Sequence, residues 1–272
     1  MKPFFHYIVA FIEKLGKPVN GVCSQIMEVI SLLWETLYWI VVGPFKKKSV
    51  KKDSSFEQMV YAGIGSLAIS LCVVFFTGVV IAMQSAYQLK QFGAVVYVAG
   101  LVAVSLAREL GPVLTALVVA GRVGAAITAE LGTMKVSEQI EALETLALNP
   151  VRFLVVPRFL GLVCMVPCLT MINNVAGMFG GFLIGTLNLN INPYLYIDTT
   201  FRFLVAKDVI TGIIKSFVFA ITIALIASHQ GLKTKGGAEG VGKSTTLSVV
   251  LSFVFIIIFD CILTGVFFFS NV

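Results

Sequence analysis

Two stretches without a single charge decide what this chain can fold into. Residues 58–89 and 159–197 contain no Asp, Glu, Lys, Arg or His, and each exceeds the roughly 20 apolar residues that cross the hydrocarbon core of a bilayer. Composition agrees: hydrophobic residues make up 58% and charged residues 12%, with a mean hydropathy of +0.96, far from an average soluble domain. The reading is an all-α polytopic membrane protein. The excess of 20 Lys and Arg over 14 acids gives +6. In such a chain this balance reports orientation and contact with anionic headgroups rather than nucleic-acid binding, and no groove-reading motif accompanies it.

The order of apolar and charged segments predicts five transmembrane helices near residues 60–83, 95–127, 159–187, 209–228 and 247–269. The second is too long for a simple crossing and is interrupted by Arg108-Glu109 and Gly111-Pro112, so a broken or tilted helix is expected there. Gly177, Gly180, Gly181 and Gly185 permit close helix contacts near the end of the third. Residues 188–207 read as a polar outer loop containing Asn192-Pro193. Before these spans, residues 1–55 form a separate section. An apolar stripe of Phe4, Phe5, Ile8, Phe11, Ile12 and Leu15 suits an amphipathic helix in the interface, and a second helix over 22–42 carries Trp34, Tyr38 and Trp39 as anchors. Both are expected to lie in or dip into one leaflet, and nothing there resembles a cleavable signal peptide. Lys46, Lys47, Lys48, Lys51 and Lys52 then fix this end in the cytoplasm. Lys135, Arg152, Arg158, Lys233, Lys235 and Lys243 fall on the same side and Lys90, Arg202 and Lys207 on the other, which puts the N-terminus in the cytoplasm and the C-terminus outside it.

Between the second and third spans lies the longest charge-bearing segment, residues 129–158. Ser137 as N-cap, acids at Glu138, Glu141 and Glu144, and Asn149-Pro150 as a stop predict a helix of about three turns over 138–148. Val136, Ile140, Leu143 and Ala147 share its apolar face. Too short and too acidic to span, it reads as a docking element at the membrane surface. Ionisable residues in apolar sequence carry further weight, because charge at bilayer depth costs roughly 3 kcal/mol or more: Arg108, Glu109, Arg122, Glu130, Lys215 and Asp260. Interhelical pairing or snorkelling accounts for Arg122, Glu130 and Asp260. Adjacent Arg108 and Glu109 face different directions, so each needs its own partner, and beside a Gly-Pro break a polar cavity for a charged headgroup suits them. Gly237-Ala-Glu-Gly-Val-Gly-Lys243-Ser244 satisfies the P-loop expression, but a P-loop needs a preceding strand and a soluble α/β domain. Here it is read as a glycine-rich turn whose Lys243 meets lipid phosphate or a partner protein. Five scattered cysteines without C-x-x-C give neither a disulfide framework nor a metal site, and with His6 and His229 as the only histidines no catalytic or metal cluster is expected. A secondary transporter fits poorly, since inverted repeats with paired broken helices are missing.

Several segments carry a family likeness: Arg108-Glu-Leu-Gly-Pro-Val-Leu-Thr-Ala-Leu, Ala120-Gly-Arg-Val-Gly-Ala-Ala, Thr128-Ala-Glu-Leu-Gly-Thr-Met-Lys-Val-Ser-Glu-Gln-Ile-Glu-Ala-Leu-Glu, Asn149-Pro-Val-Arg, Lys215-Ser-Phe-Val-Phe-Ala-Ile-Thr and Asp260-Cys-Ile-Leu-Thr. Together they resemble the signature of MlaE (YrbE-like) permeases over residues 56–272. Lys243 stands where that family often has Arg, and the loop around residues 233–243 is more basic. The resemblance implies an ABC transporter permease of the inner membrane, with a periplasmic C-terminus, that performs no catalysis and needs no cofactor. Its partners would be a second copy of itself, two copies of a cytoplasmic ATPase and an outer-side MCE-type lipid-binding protein. Its cargo would be phospholipid or a related lipid. Arg108 and Glu109 would lie by the lipid cavity. Glu138, Ile140, Glu141, Leu143, Glu144 and Ala147 would belong to the coupling helix in a groove of the ATPase, with Arg122 and Lys243 as further headgroup or partner contacts.

Overall fold

The computed structural model describes residues 24–43 and 52–269, and among them every regular element is helical. The chain divides into two units, residues 1–49 and 50–272. In the first, α1 (Ser24–Val42) is a continuous helix of 19 residues, about 28 Å long and so long enough to cross the hydrocarbon core. Among the described residues six helices are therefore long and apolar enough to span, one more than the five expected. The interfacial stripe of residues 4–15 and Lys46–48 and Lys51 fall outside the described residues.

The second unit contains α2 (Lys52–Lys90), α3 (Val95–Val136), α4 (Gln139–Thr145), α5 (Val151–Leu187), α6 (Pro193–Phe203), α7 (Ala206–Leu232) and α8 (Gly237–Phe269). The long helices run past the apolar windows at both ends: α3 has 42 residues, roughly 63 Å at 1.5 Å per residue. The expected break in α3 is absent. Pro112 has no N–H to offer one turn back, and the helix absorbs this with a π turn at Leu106–Leu110 immediately before Gly111. A second π turn spans Ala120–Gly124, and a third, Val151–Val155, opens α5 just ahead of Pro157. Each π turn carries an arginine, Arg108, Arg122 or Arg152.

Packing is closest between α2 and α5. A Cβ on Gly78 would overlap the Gly177 carbonyl, and one on Gly180 would press on the Phe75 carbonyl, so these backbones touch only because side chains are missing there. Polar side chains cross the same interface: Ser70 donates to Asn173 Oδ1 at 3.2 Å, and Asn173 Nδ2 donates to Thr115 of α3 at 2.8 Å. Helix α7 lies between α3, α5 and α8, with Lys215, Phe219 and Ile223 fully buried. Helix α8 is mostly exposed, and Ser248, Ser252 and Ile256 are its buried positions.

Residues 188–207, expected as a loop, contain the amphipathic α6. Asn192 caps it by accepting from Tyr194 N at 2.9 Å and Leu195 N at 3.4 Å, with Pro193 in the first turn. Its far end meets the start of α3, where the Phe203 and Tyr97 rings sit edge to face. Since α3 runs on to α4, helices α6 and α4 occupy opposite ends of the bundle. Gly237–Ser244, expected as a turn, is helical: Gly236 and Gly237 have φ of +91° and +70°, and α8 begins there.

Candidate functional site

The π turn at Leu106–Leu110 sends Arg108 and Glu109 to different partners, as their adjacency demands. Arg108 Nε lies 3.6 Å from Asp208 Oδ1, with a third of the arginine side chain exposed and the aspartate nearly buried. Asp208 also holds the start of α7, where its Oδ2 accepts from Val205 N at 3.2 Å. Glu109 pairs with the Lys215 ammonium. That ammonium, with no exposed side-chain surface, also donates to Asp260 Oδ1 at 2.8 Å and Thr264 Oγ1 at 2.7 Å. Its three hydrogens thus have three acceptors from α3 and α8. The Thr264 hydroxyl donates to the Asp260 carbonyl at 2.7 Å and lies 3.3 Å from both Glu109 oxygens.

The result is a layer of two cations and three carboxylates shared by α3, α7 and α8. Its interior cost is offset by short, saturated hydrogen bonds. Sequence reasoning singled out Arg108, Glu109, Lys215 and Asp260 as costly charges but left Lys215 and Asp260 outside the site, and it missed Asp208. The signal for Asp208 was an acid in the first turn of an apolar helix.

The other expected residues are placed differently. Arg122 reaches α2, donating to Ser66 Oγ at 3.1 Å and Tyr61 O at 3.4 Å, with its guanidinium 5.4 Å above the Tyr61 ring centre. Lys243 is exposed and pairs with Glu239 one turn earlier at 2.7 Å. Glu130 accepts from Arg158 at 2.9 Å and so ties α3 to α5. For Arg122, Glu130 and Asp260, of the two accounts expected from sequence, pairing or snorkelling, the structure contains interhelical pairing.

At the other end of α3, the surface helix is shorter than expected. Ser137 does not cap it; its hydroxyl donates to Thr133 O at 2.7 Å, and it ends α3. Glu138 follows with φ of 59° and redirects the chain into α4, which has seven residues, about two turns. It stops before Asn149-Pro150, in a Schellman motif: Ala147 N donates to Glu144 O at 2.9 Å and Leu148 N to Leu143 O at 3.0 Å, with Ala147 left-handed at φ 57°. The expected apolar face is only partly outward: Ile140 is 3% exposed and covered by its own chain and Leu143 is half-buried, whereas Val136 and Ala147 are exposed. Leu146, off that face, is 70% exposed, with Glu138 and Glu144 exposed near it. Glu141 folds back to Lys135 of α3, and that ammonium holds its carboxyl below the usual carboxylate range.

Residues 55–266 match the family model described as permease MlaE. A probable ABC transporter permease protein of Rickettsia typhi is 43% identical over 85% of this chain and 89% of its own length. A protein of the same description from Synechocystis is 42% identical over 80% of this chain and 83% of its own. The chloroplastic protein trigalactosyldiacylglycerol 1 of Arabidopsis thaliana is 37% identical over 97% and 79%.

Proposed function

The chain belongs to the MlaE permease family, and on that premise we propose that it carries phospholipid or a related diacyl lipid between the inner membrane and the outer envelope. As an ABC transporter permease it is the membrane-spanning, non-catalytic subunit and works with an ATPase. The observation that carries the reading is the unbroken α3. One helix holds Arg108 and Glu109 in its charged layer and ends at α4, so a push on α4 reaches the charges directly. In this scheme two ATPase copies seat against α4, with Leu146, Glu138 and Glu144 outward. A second copy of the chain covers part of the exposed apolar face of α8. An MCE-type lipid-binding protein receives cargo at the end bearing α6; with α1 dipping into one leaflet and the other five long helices crossing, the N-terminus is cytoplasmic and the C-terminus periplasmic. Arg108 offers the headgroup a cation that is about a third exposed, and the name of the Arabidopsis relative, that of a diacylglycerol-based lipid, favours this cargo class.

The test reconstitutes the permease with its ATPase in liposomes and follows transfer of a fluorescent phospholipid. Arg108→Ala and Glu109→Ala should each slow transfer about tenfold, the effect of some 1.4 kcal/mol, with the ATPase still attached. Unchanged transfer in both variants, or loss of the complex, would overturn the substrate role of the pair.

A further inference from the structure

Of the basic side chains on α3, Arg108 and Lys135 each have a carboxylate partner, Asp208 and Glu141. Arg122, in the second π turn, has none among the described residues. What holds it is the surface of α2. Its Nη1 donates to Ser66 Oγ at 3.1 Å and Tyr61 O at 3.4 Å, and the Tyr61 ring centre lies 5.4 Å from the guanidinium carbon. The guanidinium fits there because residue 65 is glycine: a Cβ would come within 2.6 Å of Nη2 and 2.7 Å of Nη1. Two neutral acceptors and a ring face leave the positive charge uncompensated. The Nε and Nη2 hydrogens have no acceptor among the described residues. Those two nitrogens form an edge with which a guanidinium grips two oxygens of one anion. Arg122 is half-buried, whereas Tyr61, Ile64 and Gly65 around it are exposed, so the notch opens outward from the bundle.

Depth identifies the anion. At the far end of α2, Tyr87 and the following Phe92 are exposed, the aromatic belt expected where a helix leaves the membrane. The hydrocarbon core is roughly 30 Å thick, about 20 residues at 1.5 Å each, which brings the opposite boundary near Leu67. Ser66, Gly65 and Tyr61 lie just past that boundary, towards the end that bears α4. Arg122 therefore stands at headgroup depth, where the anions within reach are lipid phosphates. At the bilayer centre the same unpaired cation would be far more costly.

We propose that Arg122 and the Gly65 notch form a phosphate site for an anionic phospholipid of the leaflet on the α4 side, with Nε and Nη2 on two phosphate oxygens. This lipid is a resident of the α2–α3 crevice and not the cargo, so the site stands apart from the charged layer and from what the permease carries. A headgroup of net negative charge suits it best, because the ammonium of phosphatidylcholine offsets the attraction of its own phosphate. The test uses the permease–ATPase complex, delipidated in detergent and titrated with short-chain phosphatidylglycerol, short-chain phosphatidylcholine or inorganic phosphate. Bound molecules are counted by native mass spectrometry, with a melting curve for each variant.

Phosphatidylglycerol should bind more tightly than phosphatidylcholine, and inorganic phosphate at the same concentration should not displace it. Arg122→Gln should weaken one phosphatidylglycerol site per permease chain about tenfold, the loss of a charge-assisted pair. Arg122→Lys should recover only part of this, since an ammonium lacks the fork. Gly65→Ala keeps the charge but turns the guanidinium out of its notch, and should weaken the same site about threefold. Lys90→Gln, which removes an exposed cation at the other end of α2, should change nothing. If Arg122→Gln does not fold, Arg122→Lys and Gly65→Ala decide, because both keep the cation. Equal binding of phosphatidylcholine, an equal loss in Lys90→Gln, or indifference to the Arg122 and Gly65 variants would overturn the site. Displacement by inorganic phosphate would make the ligand a free anion and overturn the lipid. Should Arg122→Gln keep phosphatidylglycerol and release a partner protein, the missing carboxylate belongs to that protein and the site falls.

Discussion

Lys215→Met tests whether the charged layer holds the bundle together. Lys215 has no exposed side-chain surface and is bonded to two carboxylates and a hydroxyl. Methionine keeps most of its volume, so the packing loss is small. What remains is Glu109 facing Asp260 with no cation between them. Removing one partner of a buried pair costs about 3–5 kcal/mol, because the charge left behind is uncompensated. The Lys215→Met permease should therefore melt well below the wild type in detergent. Adding Glu109→Gln and Asp260→Asn removes both stranded charges and should recover most of the lost stability, since neutral replacement of a whole network is close to balanced. Thermal melting of purified protein, read by size-exclusion profile after heating, compares wild type, single and triple variants. If Lys215→Met melts like the wild type, the layer is hydrated and weak. If the triple variant is no better than the single one, the damage lies in packing and the electrostatic reasoning fails.

Four further outcomes concern α4. Leu146→Asp should release the ATPase without lowering the melting temperature: losing about 2 kcal/mol of burial and adding a carboxylate desolvation of similar size weakens binding by more than about a hundredfold. Ile140→Asp should destabilise the permease itself, because Ile140 is buried against its own chain; co-purification and melting curves separate the two. Ala147→Gly should stabilise the end of α4 by up to about 1 kcal/mol, since a left-handed alanine carries a strain that glycine does not, measured by amide exchange at Leu148. The Lys135–Glu141 pair should hold α4 against α3 above the ordinary Glu141 value of 4.5 and lose its effect as pH falls through the lowered folded value. Exchange protection of α4 should thus drop in acid, and Lys135→Met should abolish that drop.

The sequence made the membrane helices legible because charge-free runs leave a helix in lipid as the economical solution for the backbone. It made the charged layer half legible: Arg108, Glu109, Lys215 and Asp260 stand out against apolar neighbours, but which of them meet depends on the registry of α3, α7 and α8 over sequence separations of 106 and 45 residues. Asp208 was hidden because it falls between the expected loop, 188–207, and the expected span, 209–228, where apolar sequence begins. The Asn192-Pro193 pair, an N-cap followed by the residue best suited to the first helical position, already signalled α6. The misplaced ends of α4 have a common cause. Ser137 and Asn149-Pro150 are good start and stop residues, yet Glu138 and Ala147 adopt φ of 59° and 57°, a choice that residue type disfavours and that packing against the long helices imposes.

Those two left-handed joints give α4 a mechanical meaning in the proposed scheme. A helix continuous with α3 would bend under load, whereas α4 is set off from α3 by Glu138 and from α5 by the turn at Ala147, so it can press on both as a separate lever. Lys135–Glu141 fastens it to α3, and Glu130–Arg158 fastens α3 to α5. A displacement of α4 therefore moves α3 and α5 together rather than parting them. From Val136 back to Glu109 is 27 residues of continuous helix, roughly 40 Å, with one π turn on the way at Ala120–Gly124, clamped to α2 by Arg122. Motion along this rod arrives at Glu109, whose Lys215 partner stands on α7 and is bound equally to Asp260 of α8. The three helices must then shift as one or exchange partners within the layer. Either result changes the exposure of Arg108, which stands at the edge of the layer beside Asp208.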